Sequence, residues 1–409
     1  MRILVQKFGG TSVADRDRML RVREKVLAGL GQGYKMLVVL SARAGDTNKL
    51  LELASEWSPT PDPAECDSLV STGEQVSAAL FTMLLKDAGI KARSVLGFQI
   101  PIKTDNVYMK ARIHSIDGEN IREMFDTYDV LVVAGFQGIS EEGRIATLGR
   151  GGSDTSAVAL AAALGATSCE IYTDVDGVYT TDPNVCANAR KLKKITYDEM
   201  LEMASMGAKV LEIRSVEFAK KYNVVVHVRS TFTDTPGTIV AQEDADMEHV
   251  LVSGIAYDKN QARITLAEVP NMPGIAAAIF SPLADANIAV DMIVQNPGTK
   301  DVTDMTFTVP RKDVPKTMEI MEAVRNSIGS SALLSDMNVA KVSAIGVGMR
   351  NHSGVAARAF SALHREGINI LLISTSEIKI SCLIEEKYLE LAVRVLHQTF
   401  DLETEPFQE

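Results

Sequence analysis

The segment Lys7-Phe8-Gly9-Gly10-Thr11-Ser12 puts a flexible cation directly ahead of a glycine pair. Glycines at a strand end let the backbone approach a ligand closely, and free N–H groups at a helix start suit a phosphate. The GxxxxGK[ST] loop is absent, so a plain turn and a phosphate cradle both fit this segment by itself. Thr147-Leu148-Gly149-Arg150-Gly151-Gly152-Ser153-Asp154 is a second glycine-rich turn. Ser153 or Asp154 fits an N-cap, and Arg150 offers a planar fork for a carboxylate or phosphate. Asp174, Asp176 and Asp182 lie close together in Thr173–Pro183. They fit turn formers, an indirect hold on Mg²⁺ or the lining of a nucleotide site. Lys209 is a second candidate phosphate lysine, and Ser71-Thr72-Gly73-Glu74 reads as a helix cap with a first-turn acid. The six histidines show no metal-ligand spacing and no Ser/His/Asp pattern.

The elements that must position these residues alternate. Ile3–Phe8, Met36–Leu40, Ala92–Leu96, Val130–Gly135, Glu170–Thr173 and Val224–Val228 are apolar runs that predict buried strands. Arg16–Gly31, with Met19, Val22, Val26 and Leu30 at helical spacing, predicts a helix. Asp67–Ala88 and Ser153–Leu164 predict two more. The expected fold is α/β: a mostly parallel sheet sandwiched by helices, with both glycine loops at strand C-ends beside one cleft. The polar stretch 233–249, with Pro236-Gly237, reads as a linker. Beyond it, PGIAAAIFSPLADANIAVDMI recurs as SGVAARAFSALHREGINILLI, with Gly274, Phe280 and Leu283 matching Gly354, Phe360 and Leu363 at an offset of 80 residues. Two copies at that period predict a duplicated small α+β domain.

Of 409 residues, 42 are Lys or Arg and 53 Asp or Glu, a net charge of −11 that argues against a general nucleic-acid or anionic-membrane binder. At 46% hydrophobic, the chain has the material for a large core, and its length suggests two or three domains. Cys66, Cys169, Cys186 and Cys382 lie far apart without CxxC spacing, so neither zinc nor a disulfide framework is expected, and a cytoplasmic home fits. The N-terminus reads as a buried strand rather than a signal peptide, and no apolar stretch reaches the ~20 residues a bilayer needs.

Taken in order, KFGGTSV at 7–13, SARAGDTNKL at 41–50, STGEQVSAAL at 71–80, TLGRGGSDTSA at 147–157, TDVDGVYTTDP at 173–183 and GAKVL at 207–211 closely resemble the aspartate kinase family over essentially the whole chain. The resemblance implies an amino-acid kinase domain at 1–232 and a linker at 233–249. It implies one ACT domain at 263–337 and a discontinuous second at 250–258 plus 338–409. It further implies phosphorylation of the β-carboxylate of L-aspartate by ATP with Mg²⁺, and no separate protein-bound metal. Carried over residue by residue, it gives Lys7, Asp154 and Lys209 as catalytic, with Asp154 holding the lysines. Lys7, Phe8, Gly9, Gly10, Thr173, Asp174, Tyr179, Asn184, Lys209 and Val210 would bind ATP. Ser41, Thr47, Glu74, Arg150, Gly151 and Ser153 would bind aspartate, Arg150 at the α-carboxylate and Glu74 at the α-amino group.

For the ACT pair it implies feedback inhibition by lysine, threonine or both. The effector site would use Asn271, Met272, Pro273, Gly274, Ile275, Ala276 and Gln295, facing Asn369, Ile370, Ser376 and Glu377 of the second copy. That copy reads Asn351-His352-Ser353-Gly354 where His-Pro-Gly is usual. The expected assembly is a homo-oligomer, or α2β2 with a small subunit started internally at Met247. A glutamate or acetylglutamate kinase of the same fold would lack the ACT pair and the STGEQ segment. A catalytically dead sensor would not keep Lys7, Arg150, Asp154 and Lys209. The end of the chain soon after the second repeat leads us to expect no fused homoserine dehydrogenase.

Overall fold

The computed structural model describes residues 1–206, 210–244, 250–297 and 302–405. Lys209 and Met247 lie outside the described residues. The chain divides into two compact units, Met1–Tyr179 with Lys191–Glu248, and Thr180–Arg190 with His249–Glu409.

The first unit runs β1 (Ile3–Phe8), α1 (Arg16–Gly31), β2 (Lys35–Leu40), α2 (Asp46–Trp57), α3 (Pro63–Val70), α4 (Thr72–Asp87), β3 (Ala92–Val95), β4 (Ile102–Thr104), β5 (Ile113–Ile116), α5 (Gly118–Thr127), β6 (Val130–Ala134), β7 (Gln137–Ile139), β8 (Ile145–Thr147), α6 (Gly152–Leu164) and β9 (Cys169–Thr173). It continues, after its return at Lys191, with β10 (Lys194–Thr196), α7 (Tyr197–Ser205), α8 (Ile213–Tyr222), β11 (Val226–Ser230) and β12 (Thr238–Ala241). Eight strands form one sheet in the order β10-β12-β11-β9-β1-β2-β6-β3, parallel throughout except for β11 against β12. All six residues of β1 and all five of β6 are buried, as a sheet covered on both faces requires. Leu4 and Phe8 join Met36, Val38, Leu40 and residues of α1 and α4 in one core. The alternate face of β1 meets α6, an Ala-rich helix buried on nearly every side.

Three local expectations change. The helix expected over Asp67–Ala88 is two helices, α3 and α4, meeting at Ser71. There Ser71 Oγ donates to the Ser68 carbonyl (2.9 Å) and Thr72 Oγ1 to that of Leu69 (2.7 Å), bonds that compete with the helical ladder. The expected linker 233–249 supplies β12, paired with both β10 and β11. Short strands β4, β5, β7 and β8 form a second sheet, order β5-β4-β7-β8, whose few residues carry too little periodicity to be read locally.

The second unit holds β13 (Gly254–Pro270), β14 (Ile293–Pro297), β15 (Val302–Pro310), β16 (Ala332–Ile345), β17 (Ile370–Thr375) and β18 (Lys379–Glu385) in one antiparallel sheet, order β14-β15-β13-β16-β18-β17. The start of β13, Gly254–Asp258, pairs with Lys341–Ile345, while Gln261–Pro270 pairs with β15. Helices Ile275–Asp285 and Val355–Arg365 are equal in length, and each opens on a left-handed glycine, Gly274 (φ 89°) and Gly354 (φ 96°). Gly354 takes the same backbone conformation as Gly274 although Ser353 precedes it where Pro273 precedes its counterpart. Within this unit, Thr180–Arg190 is fastened by Thr180 Oγ1 to His397 Nε2 (2.8 Å), by the Tyr257 hydroxyl donating to Asp182 (2.9 Å), and by Asn188 donating to Glu403 (3.0 Å).

Candidate active site

Lys7 lies near the C-terminal end of β1, on the face covered by α6. Its Nζ stands 2.6 Å from Asp154 Oδ1, both side chains about nine-tenths buried. The contact is a buried ion pair. Gly9 follows with its N–H donated to the Tyr172 carbonyl (3.3 Å), which anchors the loop to β9. A Cβ on Gly10 would come within 2.7 Å of the Ala42 carbonyl, so only glycine lets this loop lie against Ser41–Ala44. Phe8 itself is fully buried and stacked on Tyr172 at 4.6 Å between ring centroids, so it can offer a nucleotide only its backbone. Beyond β9, Asp174 is exposed and accepts from Thr173 Oγ1 (3.1 Å). Asp176 binds the Tyr179 hydroxyl (2.7 Å) and Lys191 Nζ (3.0 Å), which together hold its pKa low although burial acts to raise it.

The Gly149–Ser153 loop enters α6 through left-handed Gly149 (φ 79°) and Gly151 (φ 67°). A Cβ on Gly151 would fall 2.3 Å from Glu212 Cγ. Arg150 is exposed and makes no hydrogen bond or ion pair among the described residues, although its charge lowers the pKa of Glu212, which burial and Asp154 raise. Glu74, on the first turn of α4, is 3% exposed. Its Oε1 accepts from the Ala42 N–H (2.9 Å), while Oε2 is buried with no partner among the described residues. Gly73 permits this reach, since a Cβ there would sit 2.7 Å from that of Ala42. A half-satisfied buried carboxylate and, in the same unit, a guanidinium unpaired among the described residues suit a ligand carrying an ammonium and a carboxylate.

A model of the amino acid kinase family matches residues 2–230, and ACT domain models match 263–326 and 342–400. An aspartate kinase of Pseudomonas putida is 53% identical over 404 residues, 98% of each chain. An aspartokinase of Mycobacterium tuberculosis is 46% identical over 407 residues, 98% of this chain and 97% of its own. The chain belongs to the aspartate kinase family. Aspartokinase III of E. coli has been solved with aspartate and ADP in an R-state (TM-score 0.80, 29% identity, 97% of this chain and 99% of that one). It has also been solved with lysine and aspartate in a T-state (TM-score 0.77, 29% identity, the same coverage).

For a member of this family, the fold brings most of the expected residues together in the first unit. Lys7, Gly9, Gly10, Ser41, Thr47, Glu74, Arg150, Gly151, Ser153, Asp154, Thr173, Asp174, Tyr179 and Val210 all belong to it. Asn184 does not: it lies in the segment that groups with the second unit, its amide donating to Asp182 (3.0 Å). The effector residues also divide. Asn271, Met272, Pro273, Gly274, Ala276 and Gln295 are exposed, while Ile275 is buried. Gln295 is on β14 and Ile370 on β17, the opposite edges of the six-stranded sheet. Five spacings of ~4.8 Å separate those edges by about 24 Å, so within one chain Gln295 and Ile370 do not face each other, while residues 271–276 follow β13 in the interior of the sheet. Asn369, Ser376 and Glu377 are exposed at the β17 end, with Arg350 3.6 Å from Glu377. Sequence reasoning misses Arg214 of α8, which donates to the carbonyls of Leu148 and, at 2.9 Å, Ala111. A lone helical arginine carries no motif that would reveal this.

Burial pushes the Glu74 carboxyl from its ordinary 4.5 up to about 7, against the opposing hydrogen bond from Ala42. The native state therefore binds more protons than the unfolded chain between these values, and the ligand-free protein should lose about 3 kcal/mol of stability as pH rises from 4.5 to 7. Glu74→Gln should flatten that slope in urea midpoints compared across the window. Because an ammonium ligand favours the ionised form, the KM for aspartate should fall as pH rises through 7 in the parent and not in the variant.

Proposed function

We propose that the chain transfers the γ-phosphoryl group of ATP to the β-carboxylate of L-aspartate, giving 4-phospho-L-aspartate, the first step toward lysine, threonine and methionine. The observation that carries this is the buried Lys7–Asp154 pair at the head of two glycine loops. An ionised carboxylate is already a nucleophile, so no general base is needed. What must be offset is its repulsion from the triphosphate. Lys7, assisted by Lys209, stabilises phosphoryl charge; Asp154 fixes Lys7 in place; the Gly9-Gly10 backbone, Thr173, Asp174, Tyr179 and Val210 hold the nucleotide. Arg150 takes the aspartate α-carboxylate and Glu74 its ammonium, with Ser41, Thr47, Gly151 and Ser153 completing the acceptor site.

Among the described residues, no three His, Cys, Asp or Glu side chains converge on a metal position. Mg²⁺ would be carried by phosphate oxygens and water, and the exposed carboxylate of Asp174 is the group we assign to meet it. When bound, the ion neutralises phosphate charge. No helix of the described residues is long and apolar enough to cross a membrane, and all four cysteines are buried free thiols, which supports a reducing, cytoplasmic home.

Lysine, threonine or both bind the duplicated unit and inhibit. Because the strands that carry Gln295 and Ile370 are the two edges of the sheet, a site using both residues draws on two chains, whether in a homo-oligomer or in α2β2 with a product begun at Met247.

With ATP, Mg²⁺ and hydroxylamine, the purified protein should form the hydroxamate of aspartate; a hydroxamate from glutamate but not aspartate would overturn the assignment. Arg150→Ala should raise the KM for aspartate by the equivalent of about 2–5 kcal/mol. Lys7→Ala should instead lower kcat by about 10²-fold or more. Gln295→Ala should relieve inhibition by lysine or threonine while leaving uninhibited activity intact; full sensitivity would place the effector elsewhere.

A further inference from the structure

Asp67 is fully buried in α3, and no motif in the sequence points to it. Its carboxylate accepts three hydrogen bonds. Thr147 Oγ1 donates to Oδ1 (2.5 Å), while the N–H groups of Thr147 (2.8 Å) and Met109 (3.0 Å) both donate to Oδ2. Both partners abut the loop that carries Arg150. Thr147 ends β8, two residues before Gly149. Met109 holds a left-handed backbone (φ 66°), unusual for a side-chain-bearing residue, and its carbonyl lies 3.0 Å from where a Gly149 Cβ would sit. The same strip is braced elsewhere by Ala111 N–H on the Thr147 carbonyl (2.9 Å), Leu148 N–H on that of Phe136 (2.9 Å), and Arg214 on the Leu148 and Ala111 carbonyls. Arg150, by contrast, has no hydrogen bond of its own among the described residues, so its direction depends on how firmly this backbone is held.

We propose that Asp67 is a positioning residue of the acceptor site, acting through Thr147 and Met109 to aim Arg150 at the aspartate α-carboxylate. The proposal rests on the reading of Arg150 given above. A buried carboxylate suits the role because one rigid group fixes three donors at once, two of them backbone N–H groups that would otherwise be unpaired. Its influence falls on binding of the acceptor, made alike in the ground and transition states, and so on KM rather than kcat.

The test is steady-state kinetics of Asp67→Ala, Asp67→Asn and Thr147→Val. Asp67→Ala should raise the KM for aspartate about tenfold or more, with kcat and the KM for ATP within about threefold of the parent. Asp67→Asn should restore the KM for aspartate, because its carbonyl can accept both N–H groups while its amide donates to the Thr147 hydroxyl, which reverses. Thr147→Val, which removes only the hydroxyl bond, should raise the KM for aspartate by about threefold, and it decides the matter if Asp67→Ala does not fold. The Asp67→Ala/Arg150→Ala double variant should show no greater KM for aspartate than Arg150→Ala alone. Additive effects, an equal rise in the KM for ATP, or an unchanged KM in Thr147→Val would overturn the proposal. An Arg150→Ala enzyme with normal KM for aspartate would instead overturn the role of Arg150 itself, whatever Asp67 does.

Discussion

The first unit is organised around one buried ion pair. Lys7 on β1 and Asp154 on α6 are each about one-tenth exposed, so each charge has lost most of its water and depends on the other. Removing one partner of such a pair strands the second in a medium that solvates it poorly, at a cost of ~3–5 kcal/mol. The pair therefore sets constraints well beyond itself. The face of β1 that carries Lys7 must look onto α6, and the first turn of α6 must come to the end of β1, where the Gly9-Gly10 loop begins. The two glycine loops, far apart in sequence, meet at one end of the sheet for this reason. On the proposed reading, an aspartate held against Lys7 fixes that lysine before any phosphate arrives, which lowers the ordering cost of phosphoryl transfer.

The acceptor side is built differently, by leaving groups unsatisfied. Among the described residues, Glu74 has one oxygen committed to Ala42 and the other buried without a partner, and Arg150 projects without a hydrogen bond. Both are costly or floppy states in the free protein, and under the proposed assignment a zwitterionic ligand relieves both. The surrounding backbone is correspondingly over-determined. Gly73 and Gly10 pack against Ala42, Gly149 against Met109, and Asp67 and Arg214 clamp the strip between them. Rigidity is thus placed in the main chain and openness in two side chains.

In the second unit, the duplicated halves merge into a single sheet because β13 is long enough to serve both. Its first residues pair with β16 and its last with β15 as well. Merging in the middle leaves the equivalent strands β14 and β17 at the two outer edges. Gln295 on β14 and Ile370 on β17 are therefore as far apart as the sheet allows, and the segment Thr180–Arg190, inserted between Tyr179 and Lys191 of the first unit, packs among elements of this one.

The sequence by itself determined the local elements and the chemistry of the loops. Ile3–Phe8 and Arg16–Gly31 appear with the predicted ends, because apolar periodicity records directly which face each residue buries. Lys7, Arg150 and Asp154 stand out in the sequence because glycine-rich turns let backbone approach a ligand, whereas Glu74 reads only as a first-turn acid. What the tertiary structure decided is everything that depends on partners distant along the chain. Asp67 meets Thr147 across 80 residues, and nothing near either residue announces the pairing. The strand Thr238–Ala241 looks like polar linker until β10 and β11 flank it. The opposite placement of Gln295 and Ile370 follows from strand order alone. Periodicity encodes how deeply a residue is buried, but strand order and the partners of buried polar groups arise only when the whole chain closes on itself.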